Sequence, residues 1–306
     1  MSITPTPELF QPALRDLAQA EAIARPSTTY WQDAWRRLRK NRMAMFGLIT
    51  IMLVTTICFV GPLLSPYNSS DQILEKHDQP PSREYWLGTD GVGRDLLVRV
   101  MEGGRISLAV GVVSGLIQFL LGAIYGAVAG LAGGRIDNLM MRIVDILDTI
   151  PLMIYVILLM VILGPGLMNI FIALGLVYWQ TMARIVRAQV LSLKEQEFVL
   201  AARVLGANRW RILTRHLIPN AIGPIIVTMT LSIPAAIFTE SFLSFIGLGV
   251  SAPTASWGTL ASDGVQALRS YPWQLFFPAG AISLTMLAFN FLGDGLRDAL
   301  DPRLRR

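Results

Sequence analysis

The chain of 306 residues is 53% hydrophobic and 15% charged, with a mean hydropathy of +0.51. That leaves too little polar surface to clothe a water-soluble globule, so the composition points to a bilayer. The net charge of +5 is spread as Lys and Arg beside hydrophobic runs, not as one dense basic tract, which argues against a nucleic-acid partner.

Residues 1–30 are polar, Pro-containing and unpatterned and read as a tail, with no h-region of a cleavable signal. Trp31, Ala34, Trp35 and Leu38 then fall at helical spacing among Arg36, Arg37, Arg39, Lys40 and Arg42. This pattern suits a helix at the lipid headgroups or a basic stop before the first span. Residues 43–64 carry no charge and match the roughly 20 residues needed to cross a hydrocarbon core, giving a first span within 43–66. Residues 67–105 read as a polar loop outside the membrane, and 106–134, charge-free and rich in Gly and Ala, as the second span. The stretch 149–183 is too long for one crossing and is divided by Gly164-Pro165-Gly166. It predicts a hairpin of two spans, the third beginning near Leu139 and the fourth covering 167–183. Residues 221–250, interrupted by Glu240, and 271–293, with Trp273 at its edge, supply the fifth and sixth.

The expected fold is therefore all-α, a polytopic bundle of six membrane helices. It divides into a tail with an interfacial helix (1–42), the first span, the outside loop, a five-helix core (101–295) and a C-terminal tail (296–306). An even span count puts both termini on one side. The basic N-terminal segment, Arg184, Arg187, Lys194, Arg203, Arg209, Arg211 and Arg215 of segment 184–219, and the closing Arg297, Arg303, Arg305 and Arg306 share that side, which the positive-inside rule makes cytoplasmic. In the outside loop, acidic residues outnumber Arg94, Arg99 and Arg105.

Segment 184–219 contains a patterned elbow, with a helix from Glu197 through Ala201, Ala202, Arg203 and Leu205, a turn at Gly206-Ala207, and a second helix. Gly206 supplies a left-handed residue, Asn208 caps the second helix, and Pro219 opens the next span. A rigid exposed elbow suits docking on a soluble partner. On the outside loop, Gly91-Val92-Gly93 reads as a turn and not a phosphate cradle, since no helix-opening Lys-Ser/Thr comes after it. The lone Cys58 lies in an apolar run, and His77 and His216 stand in different loops. No metal ligand set and no nucleophile–base cluster is expected. The charges nearest hydrocarbon are Asp145, Asp148 and Glu240. The first two are expected to pair with Arg142 or reach the interface, and Glu240 to be the candidate for a translocation path. No Gly-x-x-x-x-Gly-Lys-Ser/Thr occurs, so ATP is not bound in that way.

Ala201-Ala202, Gly206 and Ile218-Pro219 at this spacing resemble the EAA loop of membrane subunits of ATP-binding-cassette importers, with Leu200 and His216 departing from the general pattern. The string Leu87-Gly88-Thr89-Asp90-Gly91-Val92-Gly93-Arg94-Asp95 resembles the extracellular signature of the dipeptide and oligopeptide permease group. So do Glu240 through Gly249, Ser256-Trp257-Gly258, and Phe291 through Pro302. Gly103-Gly104-Arg105-Ile106-Ser107-Leu108 and Trp31-Gln32-Asp33-Ala34 point further, to the C-type subunit of oligopeptide permeases. The resemblance implies the type I importer fold and a coupling loop over 184–219 that fits a groove on a cytoplasmic ATPase. It further implies a second, homologous permease, two ATPase subunits that use ATP and Mg, and a periplasmic peptide-binding protein in a bacterial inner membrane. This chain would itself bind no cofactor and catalyse nothing. Dipeptide, nickel and antimicrobial-peptide systems share most of these strings. An ion-coupled secondary transporter is the competing class, for which repeated halves and mid-membrane ionisable groups would be the mark.

Overall fold

The computed structural model describes residues 29–250 and 253–301. The tail before Thr29 and the basic Arg303, Arg305 and Arg306 lie outside the described residues. The described chain is helical apart from its loops and one isolated bridge between Thr89 and Asp95.

Helix α1, Tyr30–Lys40, begins at a capping box in which Thr29 and Gln32 satisfy each other's backbone N–H. Its Ala34 and Leu38 are buried against the end of the last helix, while Trp31 and Trp35 stay exposed. Helix α2, Arg42–Leu64, is the first span and contains Pro62. A proline there has no N–H for the carbonyl of Cys58 four residues back. Arg105 fills the gap: its Nε donates to Cys58 O and its Nη2 to Phe59 O, both at 2.8 Å.

Helix α3, Leu96–Ala132, is 37 residues long. It starts ten residues before the second span expected from the charge-free run, so residues 96–105 are helix and not loop. Asp95 caps it, accepting from Val98 N at 2.8 Å. Two of the charges in 96–105 are held by other elements: Arg99 by Asp90 and Arg105 by the α2 carbonyls. Down its length Gly122, Gly126 and Gly130 face the next long helix so closely that a Cβ at Gly126 would overlap the carbonyl of Ala183. Small residues at four-residue spacing thus let two backbones seat against each other, and Lys194 Nζ at the end of the facing helix donates to Gly130 O at 3.3 Å.

The third span is broken. Helix α4, Gly134–Asp148, and helix α5, Leu152–Leu163, meet at 86°. Ile150-Pro151 explains the break: the proline disfavours helical backbone in the residue before it and offers no donor itself. The third span expected to begin near Leu139 is therefore bent at Ile150-Pro151. The expected pairing of its acids is corrected. Asp145 and Asp148 bind Arg184 at 3.1 and 2.9 Å, not Arg142, and Asp137 takes a bidentate grip from Arg187 at 2.5 and 2.7 Å.

The glycine turn then leads into α6, Leu167–Leu193, with Asn169 Nδ2 donating to Leu163 O and Gly164 O across it. Helix α6 continues ten residues beyond the expected end at Ala183. After α7, Glu197–Val204, and α8, Arg209–Ile212, a π-turn at Leu213–Leu217 runs straight into α9, Ile218–Phe245. Pro219 is the second residue of α9, where a missing donor is tolerated, although the π-turn joins that helix to α8 without a break. Helix α10, Trp257–Ala267, lies across the far end, and α11, Trp273–Leu300, returns along α2 and α9. Five of these elements are long and apolar enough to cross a membrane, six if the bent α4–α5 pair is counted as one span.

Candidate functional site

Three of the sequence's motifs become distinct pieces of geometry. The first is the elbow. Helix α7 closes with Gly206 at φ +84°. Ala207 N donates to Ala202 O and Gly206 N to Arg203 O, both at 3.0 Å, the paired bonds of a Schellman stop. Asn208 Oδ1 accepts from Arg211 N at 2.8 Å and starts α8. Inward, Val199, Ile212, Leu213 and Leu217 are buried with Met182, Val186 and Val190 of α6 and Ala123 and Ala127 of α3. Outward, Val204 and Leu205 are each 87% exposed, with Phe198, Leu200 and Trp210 exposed beside them. Glu197, Ala201, Arg203 and Asn208 share this outer surface, while Ala202 and Ala207 are half-buried. Pro219 does not: it lines a cavity behind the elbow. The elbow is thus an apolar knuckle on a short lever packed on two spans.

The second is the Gly88–Asp95 signature at the opposite end. Asp90 Oδ1 accepts from Val92 N and Arg94 N, both at 3.0 Å; Oδ2 accepts from Arg94 Nε at 2.7 Å and Arg99 Nη1 at 2.5 Å. Burial alone would push the Asp90 carboxyl up, but the Arg94 N–H and the charges of Arg99 and Arg94 win and hold it below the ordinary carboxylate value. Burial raises Asp95, and it also raises Asp263, which lies on α10 within the field of Arg99. Gly88 and Gly93 have φ of +81° and +80°, and a side chain on Gly93 would overlap the Ile73 carbonyl. Gln274 Nε2 ties the turn to α11 through Asp78 Oδ1 at 2.7 Å and Thr89 O at 3.0 Å. These residues brace the loop to the helix ends with their polar groups turned inward.

The third is Glu240. It is 0% exposed, accepting from Ser107 Oγ of α3 at 3.2 Å and Ser244 Oγ at 2.8 Å. Ser107 Oγ also accepts from Trp257 N of α10 at 3.2 Å. The carboxyl therefore joins α3, α9 and α10 and does not border an open cavity.

Sequence reasoning missed the residues that do. A cavity of about 1310 Å³ lies between α1, α6, α9 and the end of α11, and Gln118, Tyr178, Thr181 and Gln189 line it. The available signal was an uncharged carboxamide, Gln118, in mid-span; a search for charges passes over it. Among the described residues no cluster of three or more His, Cys, Asp or Glu could hold a metal ion.

Residues 120–306 match the family described as "Binding-protein-dependent transport system inner membrane component". The chain belongs to that family. Residues 29–81 match the "N-terminal TM domain of oligopeptide transport permease C". The "Oligopeptide transport system permease protein OppC" of Bacillus subtilis (strain 168) is 53% identical over 298 residues, covering 97% of this chain and 98% of that protein. The "Dipeptide transport system permease protein DppC" of the same organism is 55% identical over 289 residues, 94% and 90% of the two chains. The inward-facing MetNI methionine ABC transporter aligns with a TM-score of 0.54 at 20% identity, over 66% of this chain and 96% of that one, which gives the fold alone. Membership makes the chain an OppC/DppC-type permease subunit with the type I importer fold. It is a non-catalytic, multi-pass subunit, with ATP hydrolysis residing elsewhere in the transporter.

Proposed function

We propose that this permease subunit carries oligopeptides or dipeptides across a bacterial inner membrane, and that a separate ATPase drives it through the α7–α8 elbow. The single observation that carries the reading is the elbow itself. Its outer face is apolar and exposed at Val204, Leu205 and Trp210, while its inner face is buried in the same cluster as α3 and α6. A push on Leu205 therefore reaches the spans through packed side chains and not through a flexible loop.

In this reading the elbow and both termini are cytoplasmic, as the distribution of Arg and Lys favours. A second, homologous permease completes the path, two ATPase subunits supply and hydrolyse ATP with Mg, and an extracytoplasmic binding protein meets the Gly88–Asp95 end and α10. The relatives named for oligopeptides and dipeptides support the substrate class. The residues given to coupling are Glu197, Ala201, Ala202, Arg203, Leu205, Gly206, Ala207 and Asn208; Pro219 belongs behind them.

The test is a Leu205→Cys chain expressed in its native membrane, crosslinked and purified with its partners. A crosslink to a P-loop ATPase, together with ATP-dependent peptide uptake by the purified complex in vesicles, is the expected result. Peptide uptake by the chain alone on an ion gradient, with no ATPase captured, would overturn it.

A further inference from the structure

The cavity of about 1310 Å³ reaches from the elbow end, where Arg297 and Asp301 stand at its mouth, to an inner end formed by Gln118, Tyr178 and Ser232. Among the described residues these two are its only charged lining groups. The rest of the polar lining is neutral and includes Thr181, Gln189 and Ser192 on α6, and Asn220 and Thr228 on α9. Gln118 is 2% exposed, and its Oε1 has no hydrogen-bond partner. One turn along the same face of α3, Ser114 Oγ is also buried without a partner. A buried carbonyl oxygen left without a donor is costly, and a ligand in the cavity is one partner that would satisfy it. Thr228 Oγ1 donates to Pro224 O and Ser232 Oγ to Met229 O, both at 2.8 Å. Each hydroxyl oxygen keeps the capacity to accept.

A peptide in transit presents the same groups whatever its sequence, namely main-chain N–H and C=O. Neutral carboxamides and hydroxyls exchange hydrogen bonds with both, whereas a fixed carboxylate or ammonium would hold some side chains and repel others. We propose that this wall reads the main chain of an extended peptide. Gln118 and Thr181 contact its amide groups, and the absence of charge along the wall makes the path indifferent to side-chain charge. The proposal deepens the importer reading and rests on it.

The experiment uses the full complex with its binding protein in vesicles. Four tripeptides are supplied: alanine tripeptide, its backbone N-methylated analogue, and variants carrying a central Lys or Glu. Gln118→Met is expected to slow uptake of alanine tripeptide about fivefold, the factor that one hydrogen bond of ordinary net strength is worth, and to slow the N-methylated analogue less. Thr181→Glu places a carboxylate on an exposed part of the wall and is expected to favour the Lys peptide over the Glu peptide relative to wild type. Unchanged uptake of all four peptides by both variants overturns the proposal. So does loss of co-purification with the second permease in both variants, which would make the wall a packing seat. If wild type imports no peptide on ATP, the importer reading itself has failed, and that is seen before any variant is compared.

Discussion

Two tight turns at opposite ends of this molecule are built on glycines with nearly the same backbone, Gly93 at φ +80° and Gly206 at +84°. Around Gly93 there is no room: Ile73 closes over it, and Asp90 collects two backbone N–H groups and two guanidinium groups. Around Gly206 there is nothing within 4 Å of a would-be Cβ. The first turn is satisfied by its own chain, and the second leaves Val204 and Leu205 uncovered. The same local device thus makes a brace where its neighbours turn inward and a docking knuckle where they turn out. Motif spacing alone does not distinguish them.

That contrast is sharpest at Asp90. Asp90→Ala leaves the buried Arg99 guanidinium, 7% exposed in its side chain, without its partner, and is expected to cost about 3–5 kcal/mol in detergent unfolding. A loss below about 1 kcal/mol, the value of an ordinary surface pair, would show that the signature turn is not a brace. Next in size, Gly93→Ala combines left-handed strain with overlap on Ile73 and should cost about 3 kcal/mol. Arg105→Leu frees the Cys58 and Phe59 carbonyls beside Pro62 and should cost about 2 kcal/mol, read as a lowered unfolding midpoint with the fold retained.

Gly206→Val closes the series, with only backbone strain of about 1–2 kcal/mol. Its signature is a split, in which the chain inserts and unfolds nearly as wild type while ATP-driven uptake is lost. Retained uptake would remove the elbow from coupling. The pH response isolates the same brace. Asp90 is held below its ordinary value, so its contribution is fully present above about pH 4 and fades as pH falls through the lower folded-state value. The stability advantage of wild type over Asp90→Asn should therefore shrink below about pH 4 and stay level above it. An advantage that instead grew in acid would contradict the assignment.

The elbow was legible because its determinants are local. Gly206 stops a helix, Asn208 starts the next, and both do so within a few residues of the bonds they make. The spans were legible as hydrophobic lengths, yet the start of the second, the bend in the third and the end of the fourth were not. Charge-counting starts the second span after Arg105, although Arg99 is paired with Asp90 and Arg105 donates to carbonyls of another helix. The break at Pro151 follows a local rule, the bias of the residue before a proline away from helix. Pro219 stands in the first turn of its helix as read, but a π-turn joins that helix to the elbow without a break. Glu240 drew attention as a charge in hydrocarbon, while Ser107 and Ser244, which enclose it, come from 133 and four residues away.

By itself the sequence determined a membrane bundle, its approximate crossings, the elbow's hinge residues and the permease family, because hydropathy, glycine stops and motif strings act over short distances. Tertiary structure alone decided which arginine holds Asp145 and Asp148, that Glu240 is buried between helices, and that a neutral polar cavity lies beside Gln118. Those outcomes depend on which faces of distant helices meet. In this chain that meeting is set by close backbone approach at Gly122, Gly126 and Gly130, where no side chain is present to announce it.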